Sequence, residues 1–324
     1  MGLSPECLQF LGMPAIIRSQ SMRRLMATVE RVAGTSAGVL ITGESGSGKE
    51  VIARAIHHYS LRCSGPFVDV NCAALPDHLL ESELFGYEKG AFSGAETVKP
   101  GLFEMAHAGT LLLDEIAELE PKMQVKLLRV LDGTPYYRLG GQKKIVADVR
   151  VLAATSQNLE QAISGGRFRS DLYHRLSQIH LEVPPLRERP EDVVALAEFF
   201  LARQRPGLRL SAESWKRFQS YTWPGNVREM RNAVMAAAAL ARGEEIEPGD
   251  LPGPLQQKMP TASPTWEFSL ENLERRLILE ALSKTGRHQQ RAADALGISR
   301  RTLSRKLRLY RMQDRMEETG RPCA

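Results

Sequence analysis

The sequence predicts an α/β fold in which a parallel sheet carries helices on both faces, followed by a smaller helical region and a separate all-α module. Three observations support this. Short apolar runs alternate with helical segments, which is typical of a buried parallel sheet. The pattern then becomes mostly helical, and beyond a proline-rich stretch it is helical and basic. The predicted divisions are a tail (1–14), an α/β subdomain (15–183), a helical subdomain (184–252), a linker (253–266) and a C-terminal module (267–324).

The α/β subdomain contains four short apolar runs that predict buried strands, with amphipathic helical segments between them. The runs are GVLITG (38–43), FVDVN (67–71), TLLLDE (110–115) and VRVLAAT (149–155). The rhythm stops at VPPLRERPED (183–192), where prolines interrupt it. Helical patterns follow in VVALAEFFLARQ, AESWKRFQSY and NVREMRNAVMAAAALARG.

Composition limits the class of protein. The chain has 324 residues, of which 43% are hydrophobic and 25% are charged, as in a globular protein with a core. It has no apolar run of the roughly 18–20 residues that cross a bilayer, and its N-terminus does not resemble a secretory signal. Its four cysteines are scattered. These features predict a cytoplasmic protein with no membrane partner and no structural zinc.

Charge is unevenly distributed along the chain. Residues 1–266 hold 30 basic and 30 acidic side chains, whereas residues 267–324 hold 13 basic and 8 acidic ones. The whole excess of positive charge therefore lies in the C-terminal module. This asymmetry predicts that the module binds nucleic acid and that the rest of the chain is an electrically neutral machine.

A phosphate-binding loop is predicted at GESGSGKE, between the first strand and the first helix that follows it. Its glycines let backbone N–H groups turn toward phosphates, the helix N-terminus attracts anions, and the lysine reaches the β- and γ-phosphates of ATP. A hydroxyl residue usually follows the lysine, but here a glutamate does. The predicted ATP-binding residues are Gly43, Glu44, Ser45, Gly46, Ser47, Gly48, Lys49 and Glu50.

A pair of acids ends the strand TLLLDEI, at the sheet edge where α/β proteins bind ligands. We expect Asp114 to hold Mg²⁺ and Glu115 to act as general base toward the attacking water. A helix cap is the alternative for such a pair, and the phosphate loop favours catalysis. Arg169 and Arg175 are candidates for stabilising the transferring phosphoryl group. Their spacing alone is equally compatible with surface ion pairs.

Six motifs in this order resemble the AAA+ domain of bacterial enhancer-binding proteins, the activators of sigma-54 RNA polymerase. The resemblance covers about residues 14–252, and it implies an AAA+ P-loop NTPase with a helical lid. In that family ATP binds between subunits of a ring, usually a hexamer, so Arg169 and Arg175 would act from the neighbouring subunit. The motifs are GESGSGKE, ELFGYEKGAFSGA, GTLLLDEI, FRSDLYHRL, PPLRERPEDV and WPGNVREM.

The resemblance also implies roles for single residues. Arg228 would be the sensor II arginine, Thr155 the sensor I residue, and Asn71 the switch that couples Glu115 to the nucleotide state. Ser156 stands where the family often has asparagine. The surface loop that would contact sigma-54 is usually GAFTGA, and here serine replaces its threonine. This loop consists of Gly90, Ala91, Phe92, Ser93, Gly94 and Ala95.

The segment HQQRAADALGISRRTLSRKLRLY predicts a helix-turn-helix. Ala293 suits a helix crossing, Gly297 a turn, and Ile298, Leu303 and Leu307 an inward face. The segment resembles the Fis-type domain that anchors enhancer-binding proteins to double-stranded enhancer DNA. A solvated basic helix is the alternative. The outward side chains that suit phosphate and major-groove contacts are Ser299, Arg300, Arg301, Ser304 and Arg305.

The sequence thus predicts an ATPase that remodels the sigma-54 RNA polymerase holoenzyme from a closed to an open complex. Only about 14 residues precede the AAA+ region, so we expect control by expression level or by a regulator acting in trans. Two alternatives remain. A different AAA+ machine would lack the GAFSGA loop, and a DNA-binding regulator without motor activity would not need Lys49, Asp114 and Glu115.

Overall fold

The computed structural model describes residues 6–256 and, further on, residues 278, 281, 285, 288–298, 300, 302–304, 306 and 307. The chain divides into two compact units between residues 259 and 260, inside the predicted linker. The strands are β1 (Glu6–Phe10), β2 (Met13–Ile17), β3 (Val39–Thr42), β4 (Phe67–Asn71), β5 (Gly86–Tyr87), β6 (Lys99–Pro100), β7 (Thr110–Asp114), β8 (Tyr136–Tyr137), β9 (Lys144–Ile145), β10 (Arg150–Thr155), β11 (Ile179–Glu182), β12 (Arg209–Leu210) and β13 (Glu245–Ile246).

The helices occupy the segments between the strands, and three short 3₁₀ turns lie at 116–118, 186–188 and 248–250. None of the helices in the described residues is both long and apolar enough to pass through a lipid bilayer. The helices are α1 (Gln20–Ala33), α2 (Lys49–His58), α3 (Asp77–Phe85), α4 (Leu102–Met105), α5 (Pro121–Leu131), α6 (Leu159–Ser164), α7 (Ser170–Leu176), α8 (Pro190–Gln204), α9 (Ala212–Ser220), α10 (Asn226–Leu240), α11 (Gly253–Gln256) and α12 (Gln289–Ala295).

A five-stranded parallel sheet forms the centre of the first unit, in the order β11–β3–β10–β7–β4. The predicted α/β fold is confirmed, and the four predicted apolar runs are four of its strands. The side chains of the three inner strands β3, β10 and β7 are largely buried on both faces, as a parallel sheet between helices requires, whereas the edge strand β4 exposes Asp69 and Asn71. The sequence did not single out β11, because its exposed His180 and Glu182 interrupt the apolar pattern of an otherwise short edge strand.

A β-hairpin precedes the sheet where the sequence predicts a tail. Strands β1 and β2 pair antiparallel through a turn at Leu11 and Gly12. Phe10 is almost completely buried in the core that also holds Ile52 and Ile56 of α2. Residues 6–14 therefore belong to the folded unit, since burial of this aromatic ring favours docking of the hairpin.

The lid subdomain packs α8, α9 and α10 around Trp223 and Phe218, which are fully buried. It extends four residues into the predicted linker, because Leu255 of α11 is buried in the same core. The Gln256 side chain also donates to the carbonyl of Leu251.

Two small hairpins stand on the α/β subdomain beside α3. One pairs β5 with β6 and encloses residues 90–95, and the other pairs β8 with β9. Backbone bonds join them, from Glu88 N to Leu139 O and from Leu139 N to Gly86 O. Strands of two residues carry no sequence periodicity, so the pattern could not reveal them.

The second unit has a small core of Ile278, Ala292, Ala293 and Leu303, with Ile298 and Leu307 packed against it. The inward positions predicted for the helix-turn-helix therefore pack together. Arg300 is exposed, and Ser304 donates to the side chain of Gln289. Three residues predicted to bind DNA lie outside the described residues, namely Ser299, Arg301 and Arg305.

Candidate functional site

The phosphate loop connects the C-terminal end of β3 to the first turn of α2. Gly43, Gly46 and Gly48 adopt positive φ angles of 152°, 74° and 108°, which only glycine accepts without strain. Lys49 is buried, and its Nζ donates to the carbonyls of Gly43 (2.9 Å) and Glu44 (3.3 Å). The loop is thus folded around its own lysine, with that amine at the centre of the predicted phosphate cradle.

Glu50 takes the position after the lysine and binds Arg54. Its Oε1 accepts two bonds from that guanidinium (2.9 and 2.7 Å), which also lies over the Phe67 ring. The glutamate cannot supply the neutral hydroxyl that usually binds magnesium here. An oxygen ligand must therefore come from elsewhere at this edge of the sheet.

Asp114 supplies such a ligand at the C-terminal end of β7, where its residue pairs in register with Asn71 of β4. Partial burial and the neighbouring Glu115 charge raise the pKa of the Asp114 carboxyl above its usual value. A divalent cation would relieve both effects. The partly desolvated carboxylate is a hard oxygen donor, so the residues present fit Mg²⁺.

Glu115 follows in the left-handed region, with φ 51° and ψ 49°. Non-glycine residues held in this region are strained, and such strain occurs often at functional sites. Its Oε2 accepts bonds from the backbone N–H (3.0 Å) and hydroxyl (2.9 Å) of Ser156. Its Oε1 lies 3.6 Å from Lys49 Nζ. Two donors therefore hold one oxygen, and the other faces the phosphate loop.

Asn71 and Thr155, the predicted switch and sensor I residues, lie at the same sheet edge but bind their own chain neighbours. Asn71 Oδ1 accepts from Ala73 N (2.8 Å), and the buried Thr155 hydroxyl accepts from Gln157 N (3.0 Å). The partner of Glu115 in this structure is Ser156, which sequence reasoning did not place in the site. Its position directly after a buried strand was the available signal.

The lid closes over the phosphate loop from the other side. Arg228, the predicted sensor II residue, donates to the Ser45 hydroxyl (2.8 Å). Arg187 pairs with Glu44 (2.7 Å) and, together with a bond from Asn226, lowers the pKa of that carboxyl. Asn226 and Arg187 were missed in the sequence, although both lie inside motifs that flank the lid.

Arg169 and Arg175 lie on or beside α7, away from their own phosphate loop. Arg169 pairs with Asp171 (2.7 Å), and Arg175 donates to the carbonyl of Leu131 (2.7 Å). Arg175 lines a cavity with Gly38 and Arg150, which lie at the N-terminal ends of β3 and β10. The structure therefore does not bring these arginines to the predicted catalytic carboxylates of the same chain.

The loop of residues 90–95 projects from the β5–β6 hairpin. Phe92 is 45% exposed, and its ring meets the edge of Tyr87 with the centroids 5.0 Å apart. Gly90 N donates to Ala95 O (2.8 Å), which closes the loop at its base, and Ala95 is buried. The aromatic side chain is thus presented on a loop with a fixed base and an open tip.

An arginine joins this loop to the neighbouring hairpin. Arg138, next to β8, binds Glu88 (3.0 Å) and makes two bonds to Glu104 (2.9 and 2.6 Å). These bonds lower the pKa of the Glu104 carboxyl. The base of the loop is therefore fixed by a charged cluster as well as by backbone bonds.

Comparison with known families decides the identity of this architecture. Residues 15–182 match the sigma-54 interaction domain, residues 187–267 an AAA+ ATPase lid domain, and residues 269–310 the bacterial regulatory protein family of Fis. The chain belongs to the sigma-54 activator family.

Curated relatives of this sigma-54 activator include regulators from several bacteria. It is 44% identical to the regulatory protein AtoC of Escherichia coli over 91% of this chain and 67% of AtoC. It is 41% identical to the transcriptional regulator NtrC of Salmonella typhimurium over 90% of this chain and 69% of NtrC. The Fis-type match identifies the C-terminal unit of the activator as a DNA-binding domain.

Solved structures similar to this sigma-54 activator include NtrX from Brucella abortus. Its complex with ATP matches with a TM-score of 0.69 and 37% identity, over 91% of this chain and 68% of that one. Its complex with ADP matches with a TM-score of 0.70 and 38% identity, over 91% and 69%. These likenesses support a nucleotide-binding AAA+ fold for the present chain.

Proposed function

We propose that this sigma-54 activator hydrolyses ATP in a ring of subunits and uses the stroke to remodel the sigma-54 RNA polymerase closed complex into an open one. The observation that carries the proposal is that the proposed catalytic groups of one chain lie at two different ends of the sheet strands. The phosphate loop and carboxylates lie at one edge of the sheet, and Arg175 lies at the opposite edge.

The division favours a site shared between copies of the chain. Strand β3 has four residues, which at about 3.3 Å each place roughly 13 Å between the two edges. Arg175 sits beside Gly38 before the strand begins, and the phosphate loop begins where the strand ends. An arginine at that edge can serve the phosphates of a neighbouring subunit in a head-to-tail ring, of which the hexamer is the expected form.

Within one site, the side chains have separate roles. Lys49 binds the β- and γ-phosphates, and Asp114 would hold Mg²⁺, which neutralises phosphate charge when bound. Glu115 accepts the proton of the attacking water through Oε1, the oxygen that faces Lys49, while Ser156 fixes its orientation through Oε2. Arg169 and Arg175 of the next subunit stabilise the charge of the transferring phosphoryl group, and Arg228 and Thr155 sense its loss.

The loop of residues 90–95 would transmit the conformational change to sigma-54. Opening a promoter breaks about ten base-pair steps, at roughly 1.4 kcal/mol of stacking each. This total is comparable with a nanomolar binding free energy, and hydrolysis of ATP would supply it in a step that is effectively irreversible. The exposed Phe92 supplies an apolar anchor for sigma-54, and the Fis-type domain anchors the ring to enhancer DNA upstream.

The test is complementation between inactive variants. Lys49→Ala and Arg175→Ala should each abolish ATP turnover, and turnover of the unmodified chain should rise cooperatively with concentration as subunits assemble. Mixing the two variants should restore about a quarter of the activity, because a random ring pairs an intact Lys49 with an intact Arg175 at that fraction of interfaces.

Turnover that does not depend on concentration, with no recovery in the mixture, would contradict the shared site. An absence of turnover in the unmodified chain would favour the alternative, a DNA-binding regulator without motor activity. Promoter opening that proceeds equally well with a non-hydrolysable ATP analogue would contradict the motor itself.

A further inference from the structure

Three consecutive carbonyl groups of the phosphate loop accept hydrogen bonds from the lid subdomain. All three donors lie beyond residue 183, so the α/β subdomain supplies none of these bonds. The pairs are Ser45 O with Asn226 Nδ2 (3.1 Å), Gly46 O with Val227 N (3.0 Å) and Ser47 O with a terminal guanidinium nitrogen of Arg189 (2.6 Å).

Peptide geometry turns these bonds into a constraint on the N–H groups. The described peptide bonds are all trans, so the carbonyl of one residue and the N–H of the next point to opposite sides of a planar unit. Holding the carbonyls of Ser45 and Ser47 toward the lid therefore directs the N–H groups of Gly46 and Gly48 away from it. Such inward N–H groups form the concave nest that binds phosphate oxygens.

We propose that Asn226 and Arg189 are positioning residues of the phosphate loop, which hold its carbonyls so that its N–H groups face the β-phosphate of the nucleotide. This inference rests on the proposed nucleotide site. It makes the lid a structural part of the phosphate cradle, in addition to the contact that Arg228 makes.

The side chain of Asn226 is held in one orientation by its surroundings. It is fully buried, and its Oδ1 accepts from Leu186 N (2.7 Å) while its Nδ2 donates to Ser45 O and to Glu44 Oε2 (3.1 Å). Both ends of the amide are thus engaged, which fixes its orientation. Its backbone has a positive φ of 52°, a conformation that asparagine tolerates better than most residues.

Arg189 is equally constrained. Only 3% of it is exposed, and it lies 3.8 Å from the buried carboxylate of Asp192. That carboxylate accepts three bonds at the start of α1, from Arg18 N, Ser19 N and the Ser19 hydroxyl, each 2.7 Å long. The guanidinium is therefore held between α1 and the phosphate loop, where it cannot swing to another acceptor.

The lid position consequently sets the shape of the phosphate nest. A lid that moved away would withdraw three donors from the loop at once, and the N–H groups would lose their common direction. Affinity for the β-phosphate should then fall, while contacts to the rest of the nucleotide would be affected less.

The test compares ADP with AMP, which lacks the β-phosphate. Dissociation constants for both are measured by titration calorimetry on the full chain and on Asn226→Asp and Arg189→Lys. The first variant keeps the volume and the acceptor of Asn226 but loses the donor, and the second keeps the charge of Arg189. Each should weaken ADP binding on the order of tenfold, the factor that one charged or buried hydrogen bond controls, with AMP binding within about twofold.

Tyr221→Phe is the matched control, because it removes the bond from Tyr221 to Glu229 (2.9 Å) in the same lid segment and touches no loop carbonyl. It should keep the full preference for ADP. An unchanged preference in both test variants, or an equal loss of ADP and AMP binding, would overturn the inference. An unmodified chain that does not prefer ADP to AMP would instead refute the proposed nucleotide site.

Discussion

Two glycine-rich loops of this molecule differ in what surrounds their glycines. In the phosphate loop, a Cβ added to Gly46 would lie 2.5 Å from the carbonyl of Gly225 and 2.9 Å from the Arg228 side chain. In the loop of residues 90–95, a Cβ added to Gly90 or Gly94 would meet nothing within 4 Å. Gly46 must be glycine both for its positive φ and because another backbone touches it, whereas Gly90 and Gly94 need to be glycine only for their positive φ.

The difference separates the proposed site of ATP hydrolysis from the proposed contact with sigma-54. The phosphate loop is enclosed by the lid on one side and by the catalytic carboxylates on the other. The projecting loop has a base held by Arg138 and Ala95 and a tip at which Phe92 stays 45% exposed beside Tyr87. A fixed nest suits the preorganised binding of phosphate, and an open tip suits engagement of a partner.

Replacing Gly46 by alanine should have the largest effect. A Cβ at 2.5 Å from a backbone oxygen, together with a positive φ of 74°, forces the lid and the loop apart. The combined cost of strain and overpacking is about 2–4 kcal/mol, which predicts a loss of ADP affinity of roughly 30-fold to 10³-fold. Calorimetric titration with ADP would measure it.

Gly94→Ala provides the matched control for that substitution, because its φ of 103° is also positive but its surroundings are open. We expect ADP affinity within about twofold of the unmodified chain, since only local strain is added far from the nucleotide. Equal losses in the two variants would show that the two glycines do not differ in the way the contacts indicate.

Phe92→Ala should divide the two activities. The ring is half exposed and contacts Tyr87, so truncation should cost folding stability only about 1 kcal/mol. ATP turnover should stay within about twofold, because no catalytic group changes. Activation of a sigma-54 promoter should fall at least about tenfold, as expected for loss of an interface anchor. A purified transcription assay beside a phosphate-release assay would measure both.

Normal promoter activation by Phe92→Ala would contradict the proposed role of the loop. Leu61→Ala is a suitable control, since Leu61 is 89% exposed and lies outside both loops. It should leave turnover and activation unchanged.

The sequence predicts those parts of the site whose residues lie close together along the chain. GESGSGKE lies between a strand and a helix, and the acids Asp114 and Glu115 end an apolar run, so spacing alone identifies them. The three inner strands were found because burial leaves a continuous apolar pattern, and the edge strand β4 was found because three of its five residues are still apolar. Strand β11 and the two-residue strands of the hairpins leave no such pattern.

The contacts that shape the site could not be predicted in the same way. Asn226 meets Ser45, and Arg189 meets Ser47, across more than 140 residues of chain. Such pairs depend on how the lid closes, which no local spacing records. In the sequence, Ser156 was noted only because it departs from the family motif. Its bond to Glu115 is visible only in the structure, where residue 115 has a left-handed backbone conformation.

Glu104→Gln should have a moderate effect on the base of the projecting loop. Arg138 lowers the pKa of Glu104, so the pair contributes stability above the usual carboxyl pKa and loses it as pH falls through the lowered value. At pH 7 the variant should lose roughly 1–2 kcal/mol, because the glutamine amide can accept only one of the two bonds from Arg138 and carries no charge. Thermal melts from pH 7 down to acid should converge for the two proteins. A difference that persists below the lowered pKa of Glu104 would exclude the charge as its cause.

Asp114→Asn should have the smallest effect on stability, and of the opposite sign. Burial and Glu115 raise the pKa of Asp114, so its charge costs stability once pH exceeds the usual carboxyl pKa, and the cost is complete above the raised value. Asparagine keeps an oxygen that can accept from Glu115 N without that charge. The nucleotide-free variant should therefore melt about 2 °C higher at pH 7, corresponding to less than about 1 kcal/mol, with no gain in acid. Magnesium and ATP should stabilise the unmodified chain but not the variant. The Asp114 charge that destabilises the nucleotide-free protein is also the charge that would bind the metal. A variant that melts lower than the unmodified chain at pH 7 would show that the Asp114 charge does not destabilise the nucleotide-free protein, and magnesium would then have no such cost to relieve.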